Sequence, residues 1–210
     1  MIEKIEDGLF RLKVPFEDLT TTVYFAVCET GTVIIDSATY ASDADTYILP
    51  ALDELGIRRE DVKLLALTHR HGDHAGGASR LLEVLPWIVI RSFAPLKVPS
   101  VLLEDGELLL DRLQVVHLPG HSKDSAGYLD VTTGTLLSGD CLQLKGIGKY
   151  RNGISDREQY VASIQKLREM DIQKIVAAHE YDPLGSVADG AKEVQAYLDA
   201  CIEVVETKVK

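Results

Sequence analysis

The order of strand-like and helix-like segments is the feature that most constrains the fold of this 210-residue chain. Residues 9–38 and 101–139 contain short β-branched and apolar runs separated by turn residues, a pattern that predicts strands joined by tight turns. Segments with helical spacing follow each strand-rich half, at 43–56, at 78–85 and beyond 155. We therefore predict one domain over residues 1–210, in which helix layers pack on a central β-sandwich.

Three helix boundaries are predicted from local signals. Gly56 follows the helical pattern of 43–56 as a terminating residue. Ser155 and Glu158 have the spacing of a capping box, which predicts a helix from there to about Met170. Residues 186–210 are predicted to form one long terminal helix.

The charge balance excludes some partners. The chain has 33 acidic and 22 basic residues, a net charge of −11, which disfavours broad contact with nucleic acid or with anionic membranes. No apolar run approaches the ~20 residues of a membrane span, and the acidic N-terminus does not resemble a secretion signal. The cysteines are odd in number and widely spaced, which disfavours a disulfide framework: Cys28, Cys141 and Cys201. We expect a soluble, cytoplasmic protein.

Residues 67–77, LTHRHGDHAGG, crowd three histidines and an aspartate into six positions after a predicted buried strand. If that strand continues briefly, His69 and His71 point to the same side and can hold one metal ion. Asp73 and His74 lie at the turn into the next helix and can converge on a second point nearby. Neutral imidazoles with carboxylates suit Zn²⁺, Mn²⁺ or Fe²⁺.

Three further candidates lie where predicted strands end: His121, Asp140 and His179. Strand ends gathered at one edge of a sheet commonly form a site. With the cluster at 69–74 they make seven candidate ligands, whereas one tetrahedral zinc takes four. Two metal ions therefore fit the set better than one.

The strings THRHGDHAGG, LPGHSKDSAGY, LLSGD and AAHEYD, in this order over about residues 20–185, resemble the metallo-β-lactamase superfamily. The resemblance implies an α+β fold, a four-layer αββα sandwich with a dinuclear site at one edge. It implies two divalent ions, zinc first with manganese or iron as alternatives, and a bridging water as nucleophile. Asp73 and Asp140 are the implied catalytic carboxylates. The implied ligands are His69, His71 and His121 for one metal, Asp73, His74 and His179 for the other, and Asp140 between them.

Asp36 ends the strand-like string TVIID. Metal-bound imidazoles usually donate their second N–H to a carboxylate, so we predict that Asp36 orients a ligand histidine. The alternative is a simple strand-end turn. His117 lies within a predicted strand, and we predict a structural role for it.

Within the superfamily, glyoxalase II, the hydroxyacylglutathione thioesterase, is a closer likeness than the β-lactamases. The loop GIGKYRNG after Asp140 and the string HEYD resemble its substrate-binding segments, which implies substrate contacts by Lys149, Tyr150 and Tyr181. Lys145, Lys149 and Arg151 also form a basic cluster in an acidic chain, which would attract an anionic substrate. The chain ends about one helix after His179, so we expect it to lack the helical domain that completes the glutathione site.

These features predict a metal-dependent hydrolase that cleaves an ester or thioester bond of a small anionic substrate, with no nucleic-acid or membrane partner. A lactonase of the same fold is one alternative. Another is an oxidoreductase resembling persulfide dioxygenases, which share nearly the same motifs but use a single iron. The third is a metal-binding module without turnover.

Overall fold

The computed structural model describes residues 1–17, 19–142, 153–180 and 185–206. Within these residues the strands form two sheets. The first sheet has its strands in sequence order, antiparallel up to the fourth strand and parallel thereafter. Its members are β1 (Ile2–Glu6), β2 (Leu9–Phe16), β3 (Leu19–Cys28), β4 (Gly31–Ile35), β5 (Val62–Ala66), β6 (Val89–Ser92) and β7 (Val101–Leu102).

The second sheet contains the later strands. They are β8 (Leu108–Leu109), β9 (Leu113–His117), β10 (Ala126–Asp130), β11 (Thr135–Gly139), β12 (Lys174–Ala177) and β13 (Val187–Asp189). Their spatial order is β13-β12-β11-β10-β9-β8, and every neighbouring pair is antiparallel except β11 and β12, which run parallel.

The helices connect strands or follow them. α1 (Ala41–Asp43) continues through a π-helical turn, Ala44–Ile48, into α2 (Leu49–Glu54), and a 3₁₀ turn at Arg59–Asp61 leads into β5. The others are α3 (Gly72–Ala75), α4 (Ala78–Val84), α5 (Arg157–Arg168) and α6 (Ala191–Glu206).

Three buried clusters divide the molecule into layers. Tyr24 and Tyr128 belong to the cluster between the sheets, and each hydroxyl donates across it, Tyr24 to the Val176 carbonyl at 3.2 Å and Tyr128 to the Leu67 carbonyl at 2.6 Å. A second cluster joins the outer face of the first sheet to the π-helical turn, α2 and α4. A third joins the second sheet to α5 and α6. The predicted αββα sandwich is confirmed.

Two predicted boundaries are wrong. Asp156, not Ser155, caps the N-terminus of α5: its carboxylate accepts the Gln159 N–H at 3.0 Å, while the Ser155 hydroxyl donates to the Gly120 carbonyl at 3.1 Å. The terminal helix begins at Ala191 rather than at 186, because Val187–Asp189 pairs with β12 as an antiparallel strand. In both cases a non-local partner decides the local conformation. Gly56, by contrast, does follow α2 with a left-handed φ of 67°, as predicted.

Strand direction determines where the site lies. β4 and β5 run parallel, as do β11 and β12, so the carboxyl ends of each pair meet at one edge. β9 runs in the same direction as β11, because each is antiparallel to β10. The segments that follow β4, β5, β9, β11 and β12 therefore emerge at one edge of the sandwich, a common location for ligand sites.

Candidate metal centre

The segment between β5 and α4 forms the base of the centre. Its helix α3 has only four residues, too few to be stable alone, so contacts from other elements must hold it. The His74 carbonyl accepts from the Ser37 N–H at 2.6 Å and from its hydroxyl at 2.9 Å. Gly76 and Gly77 pack closely on the loop that contains Ser37 and Thr39. A Cβ on Gly76 would lie 1.7 Å from the Thr39 carbonyl oxygen. Only glycine allows that approach.

Three imidazoles converge on one point. His69 Nε2 lies 2.9 Å from His71 Nδ1, and His121 Nε2 lies 3.2 Å and 2.9 Å from these two atoms. A tetrahedral zinc with three nitrogen ligands separates them by about 3.3 Å, close to the observed spacing. We call these residues the histidine group. His69 and His71 thus lie on the same side of the chain, in the arrangement that their alternation predicts.

The carboxylate group lies beside it and consists of Asp73, His74, Asp140 and His179, each with one potential ligand atom within 4.8 Å of the others. The Asp73 Oδ2 atom lies 3.5 Å from His74 Nε2 and 3.4 Å from His179 Nε2. The Asp140 Oδ1 atom lies 3.6 Å and 3.2 Å from the same two nitrogens. Alternating carboxylate and imidazole ligands surround a common centre.

Asp140 faces both groups. While its Oδ1 atom points to the carboxylate group, its Oδ2 atom lies 3.7 Å from His121 Nε2 in the histidine group. The structure thus brings all seven predicted ligands together at one edge. Most are buried, but His71 and Asp73 are partly exposed and form the open side of the centre.

Hydrogen bonds behind the imidazoles set which nitrogen faces the centre. His74 Nδ1 donates to Asp36 Oδ2 at 2.7 Å, so its Nε2 points inward. Asp36 also accepts from the Thr68 N–H and hydroxyl, both at 2.7 Å, and that hydroxyl lies 3.2 Å from His69 Nδ1. Asp36 therefore lies where the sequence predicted a partner for a ligand histidine, and through Thr68 it reaches a second one.

Backbone carbonyls orient two more histidines. His121 Nδ1 lies 2.5 Å from the Gly153 carbonyl oxygen, and His179 Nδ1 lies 2.8 Å from that of Thr20. Both rings therefore present Nε2 to the centre. Sequence reasoning did not identify Thr20 or Gly153, because a backbone acceptor leaves no compositional signal, and it did not identify the Thr68 hydroxyl.

Asp124 is a further residue that the sequence analysis missed. It is buried, and its Oδ2 atom accepts the N–H of Arg70, the residue between two histidine-group members, at 3.1 Å. Its place in the string HSKDS, three residues after His121, was the available signal. His117 lies outside both groups: its Nε2 bonds the Lys123 carbonyl at 2.9 Å and its ring packs on Phe93, consistent with a structural role.

The two groups differ electrostatically. Burial and the neighbouring imidazole of His74 lower the pKa of His69, and burial also lowers the pKa of His121, so both rings are neutral, the form that binds metals. Burial opposes charge on Asp140 as well, but the imidazoles of His179 and His74 lower its pKa well below the usual range. Despite its burial, His179 has its pKa raised to about 10 by Asp140. The carboxylate group thus favours a positive charge at its centre.

One buried atom fits a metal directly. Among the residues that the structure describes, His74 Nε2 is buried without a hydrogen-bond partner, although it points toward two carboxylates. A buried polar atom left unpaired is costly, and a cation at the centre would satisfy it. The donor set of imidazoles and carboxylates therefore fits divalent metal ions. The predicted substrate contacts, Lys149, Tyr150 and Tyr181, lie outside the described residues.

Comparison with known proteins agrees with this geometry. The family model of the metallo-beta-lactamase superfamily matches residues 17–92. The chain is 31% identical to a hydroxyacylglutathione hydrolase of Francisella philomiragia over 68% of its own length and 59% of that protein. It is 34% identical to proteins of the same name from Gloeobacter violaceus, over 64% and 54%, and Vibrio cholerae, over 63% and 53%. The chain thus spans between half and three fifths of these relatives.

Solved structures share the fold across nearly the whole chain. A metallo-beta-lactamase family protein of Thermus thermophilus has a TM-score of 0.75 at 21% identity and covers 97% of this chain and 81% of its own. The DIM-1 metallo-beta-lactamase has a TM-score of 0.76 at 18% identity, covering 99% and 97%. ETHE1 of Myxococcus xanthus has 0.70 at 21%, covering 95% and 91%.

None of the helices in the described ranges is both long and apolar enough to cross a bilayer. Four observations point to the same fold and site: the matched family model, the named relatives, the shared sandwich and the two ligand groups at its edge. Residues 17–92 match the metallo-beta-lactamase superfamily, and the chain has the metallo-β-lactamase fold.

Proposed function

We propose that this protein is a dinuclear metal-dependent hydrolase that cleaves an ester or thioester bond of a small anionic substrate. The observation that carries the proposal is the shared carboxylate of Asp140, with Oδ2 3.7 Å from His121 and Oδ1 3.2 Å from His179. A carboxylate with one oxygen directed at each ligand group is suited to joining two cations, as in two-metal hydrolytic sites. The two ions would be zinc, with manganese or iron as alternatives.

The ligand residues determine what the centre can do. When bound, two divalent cations would lower the pKa of a shared water and polarise the carbonyl of the scissile bond. The histidine group and the carboxylate group would each hold one ion, with Asp140 between them. Asp73 and Asp140 stay ionised, since neighbouring imidazoles lower the pKa of both despite burial. They can accept hydrogen bonds from the attacking water and orient it, and Asp73 does so at the open side.

The nearby side chains favour water as the nucleophile. Cys141 follows Asp140, but burial raises the pKa of its thiol well above the usual value, so it is a poor nucleophile. The hydroxyls of Ser122 and Ser125, next to His121, hydrogen-bond each other at 2.8 Å. A direct hydrolytic attack therefore suits this site better than an acyl-enzyme route.

The substrate class follows from the relatives and the charge pattern. The relatives from Francisella philomiragia, Gloeobacter violaceus and Vibrio cholerae are named hydroxyacylglutathione hydrolase, which supports a hydroxyacyl thioester as substrate. The basic residues Lys145, Lys149 and Arg151 come soon after Asp140 in a chain with net charge −11, and they would attract an anion to the centre. We assign Lys149, Tyr150 and Tyr181 to substrate contacts. We also propose that the protein is soluble and cytoplasmic, as its composition predicts.

The test begins with metal content per chain, measured by elemental mass spectrometry on protein purified without chelators. We expect about two ions in the parent protein. Asp140→Ala and His74→Ala should each lower this ratio and abolish thioester hydrolysis. His117→Ala is the matched control, since it removes a histidine outside both groups and should leave both readouts unchanged.

Two results would contradict the proposal. Two ions per chain in both Asp140→Ala and His74→Ala would exclude the dinuclear assignment. A single iron per chain, with oxygen consumed on persulfide substrates, would identify an oxidoreductase instead. Comparing a hydroxyacylglutathione with the same acyl group on a small uncharged thiol measures how far glutathione itself is recognised.

A further inference from the structure

We propose that two successive threonines of β3, Thr21 and Thr22, are positioning residues that assemble the carboxylate group. The inference rests on the proposed dinuclear site, because it concerns the residues that would hold the second ion. Both threonines are buried, with exposed fractions of 0% and 2%. Adjacent side chains of a strand point to opposite faces of the sheet. Thr21 therefore reaches the helix layer, while Thr22 reaches into the space between the sheets.

Thr21 holds the segment that bears Asp73. Its hydroxyl donates to the Asp73 carbonyl oxygen at 2.9 Å. Carbonyls near the end of a short helix such as α3 lack partners within the helix and must find them elsewhere. The Thr21 hydroxyl supplies one, so the peptide of a ligand residue is tied to the sheet rather than to its own helix.

Thr22 holds the segment that bears His179. Its hydroxyl donates to the Ala178 carbonyl oxygen at 2.6 Å, at the peptide directly before the ligand. The neighbouring Thr20 carbonyl accepts from His179 Nδ1 at 2.8 Å. One short stretch of β3 thus contacts the segments of two ligands that lie more than 100 positions apart in the chain.

The histidine group has a separate support. Asp124 accepts the Arg70 N–H at 3.1 Å, and the Ala126 N–H donates to the Thr68 carbonyl at 2.7 Å. These bonds tie the segment of His69 and His71 to the segment that follows His121. Loss of the Thr21 or Thr22 hydroxyl should therefore affect the carboxylate group selectively.

The experiment measures the affinities of both ions with Co²⁺ and Zn²⁺ added to metal-free protein in competition with a chromophoric chelator. Thr21→Val and Thr22→Val keep the side-chain shape and remove the hydroxyl. Each should weaken the binding event of the carboxylate group about 10- to 100-fold while that of the histidine group changes little. The Co²⁺ absorption bands of the carboxylate group should change as well, and Thr21→Ser, which keeps the hydroxyl, should restore both.

Thr135→Val is the matched control, because Thr135 is equally buried but lies at the start of β11, at the opposite end of that strand from Asp140. Two well-separated events of unchanged affinity in both valine variants would overturn the inference, as would equal weakening of both events. If Thr21→Val does not fold, Thr21→Ala and Thr21→Ser answer the same question, because they differ by one oxygen atom. A parent protein that binds fewer than two ions would contradict the proposed function instead.

Discussion

Replacing Asp36 with asparagine should weaken metal binding by the carboxylate group about 10- to 100-fold. Asp36 is fully buried and accepts three hydrogen bonds of 2.7 Å, from the Thr68 N–H, the Thr68 hydroxyl and His74 Nδ1. An amide has one oxygen and one NH₂ group. If the NH₂ group faces His74, Nδ1 must accept, the ring proton moves to Nε2, and Nε2 can no longer bind a cation.

The other orientation of the amide is no better. It turns the NH₂ group toward the Thr68 N–H, so that two donors face each other in a buried site. Each orientation loses at least one hydrogen bond, and we expect the free energy of unfolding to fall by about 1–3 kcal/mol. The backbone itself should tolerate the change, since Asp36 has a left-handed φ of 64° and asparagine adopts that conformation readily.

Chelator competition measures the metal affinity, and urea denaturation of the metal-free protein measures the stability. Asp43→Asn is the control: Asp43 is buried too, but its Oδ2 atom alone accepts both of its bonds, from the Thr39 N–H at 3.1 Å and the Tyr40 N–H at 2.9 Å. An amide oxygen can replace it. Parent-like metal affinity and stability in Asp36→Asn would refute the argument.

Three further predictions concern stability. Gly76→Ala should lower the free energy of unfolding by about 3 kcal/mol or more in urea denaturation, because the new Cβ would collide with the Thr39 carbonyl. Gly72→Ala on α3 is the control: its Cβ would enter open space, so the change should be tolerated. Burial raises the pKa of Asp130, but the hydrogen bonds from Arg112 help to lower it below its usual value. The ionised carboxylate therefore stabilises the fold at pH values above its unfolded pKa of about 3.9. That contribution is lost as the pH falls through the lower pKa of the folded state. Asp130→Asn should therefore lower the free energy of unfolding by about 1–3 kcal/mol at pH 7 and flatten its dependence on pH below about 4; an unchanged acid-unfolding curve would contradict this. Removing both metal ions with a chelator should lower the Tm by about 10–20 °C, reversibly on adding Zn²⁺, if each ion is present at ~100 times its Kd; an unchanged scanning-calorimetry Tm would argue against structural coupling of the ions.

Much of the centre could be predicted from the sequence. Its ligands stand where apolar runs end, as with His69 after VKLLALT and Asp140 after LLSG, and strands end together at a sheet edge. The spacing of His69 and His71 was enough to predict that both face one point. The assignment of the seven residues as metal ligands stays a prediction until metal content is measured.

Errors occurred where a distant partner overrides a local preference. Ser155 has the spacing of a helix cap, but the Gly120 carbonyl accepts its hydroxyl, and Asp156 caps α5 instead. Val187–Asp189 continues a helical pattern in the sequence, yet β12 has a free edge that this segment fills. Periodicity describes the local preference of a segment and carries no information about which edge or carbonyl lies nearby.

The sequence by itself determined the αββα sandwich, the strand ends at which the ligands stand and the chemical types of the ligands. Those features depend on residue type and on spacings of a few positions. Only the tertiary structure decided that Asp140 faces both groups, that Thr68 links Asp36 to His69, and that Thr21 and Thr22 hold Asp73 and His179 from opposite faces of β3. The physical reason is that a hydroxyl or a carboxylate oxygen takes its partner from whatever folding brings within about 3 Å, and those partners come from distant parts of the chain.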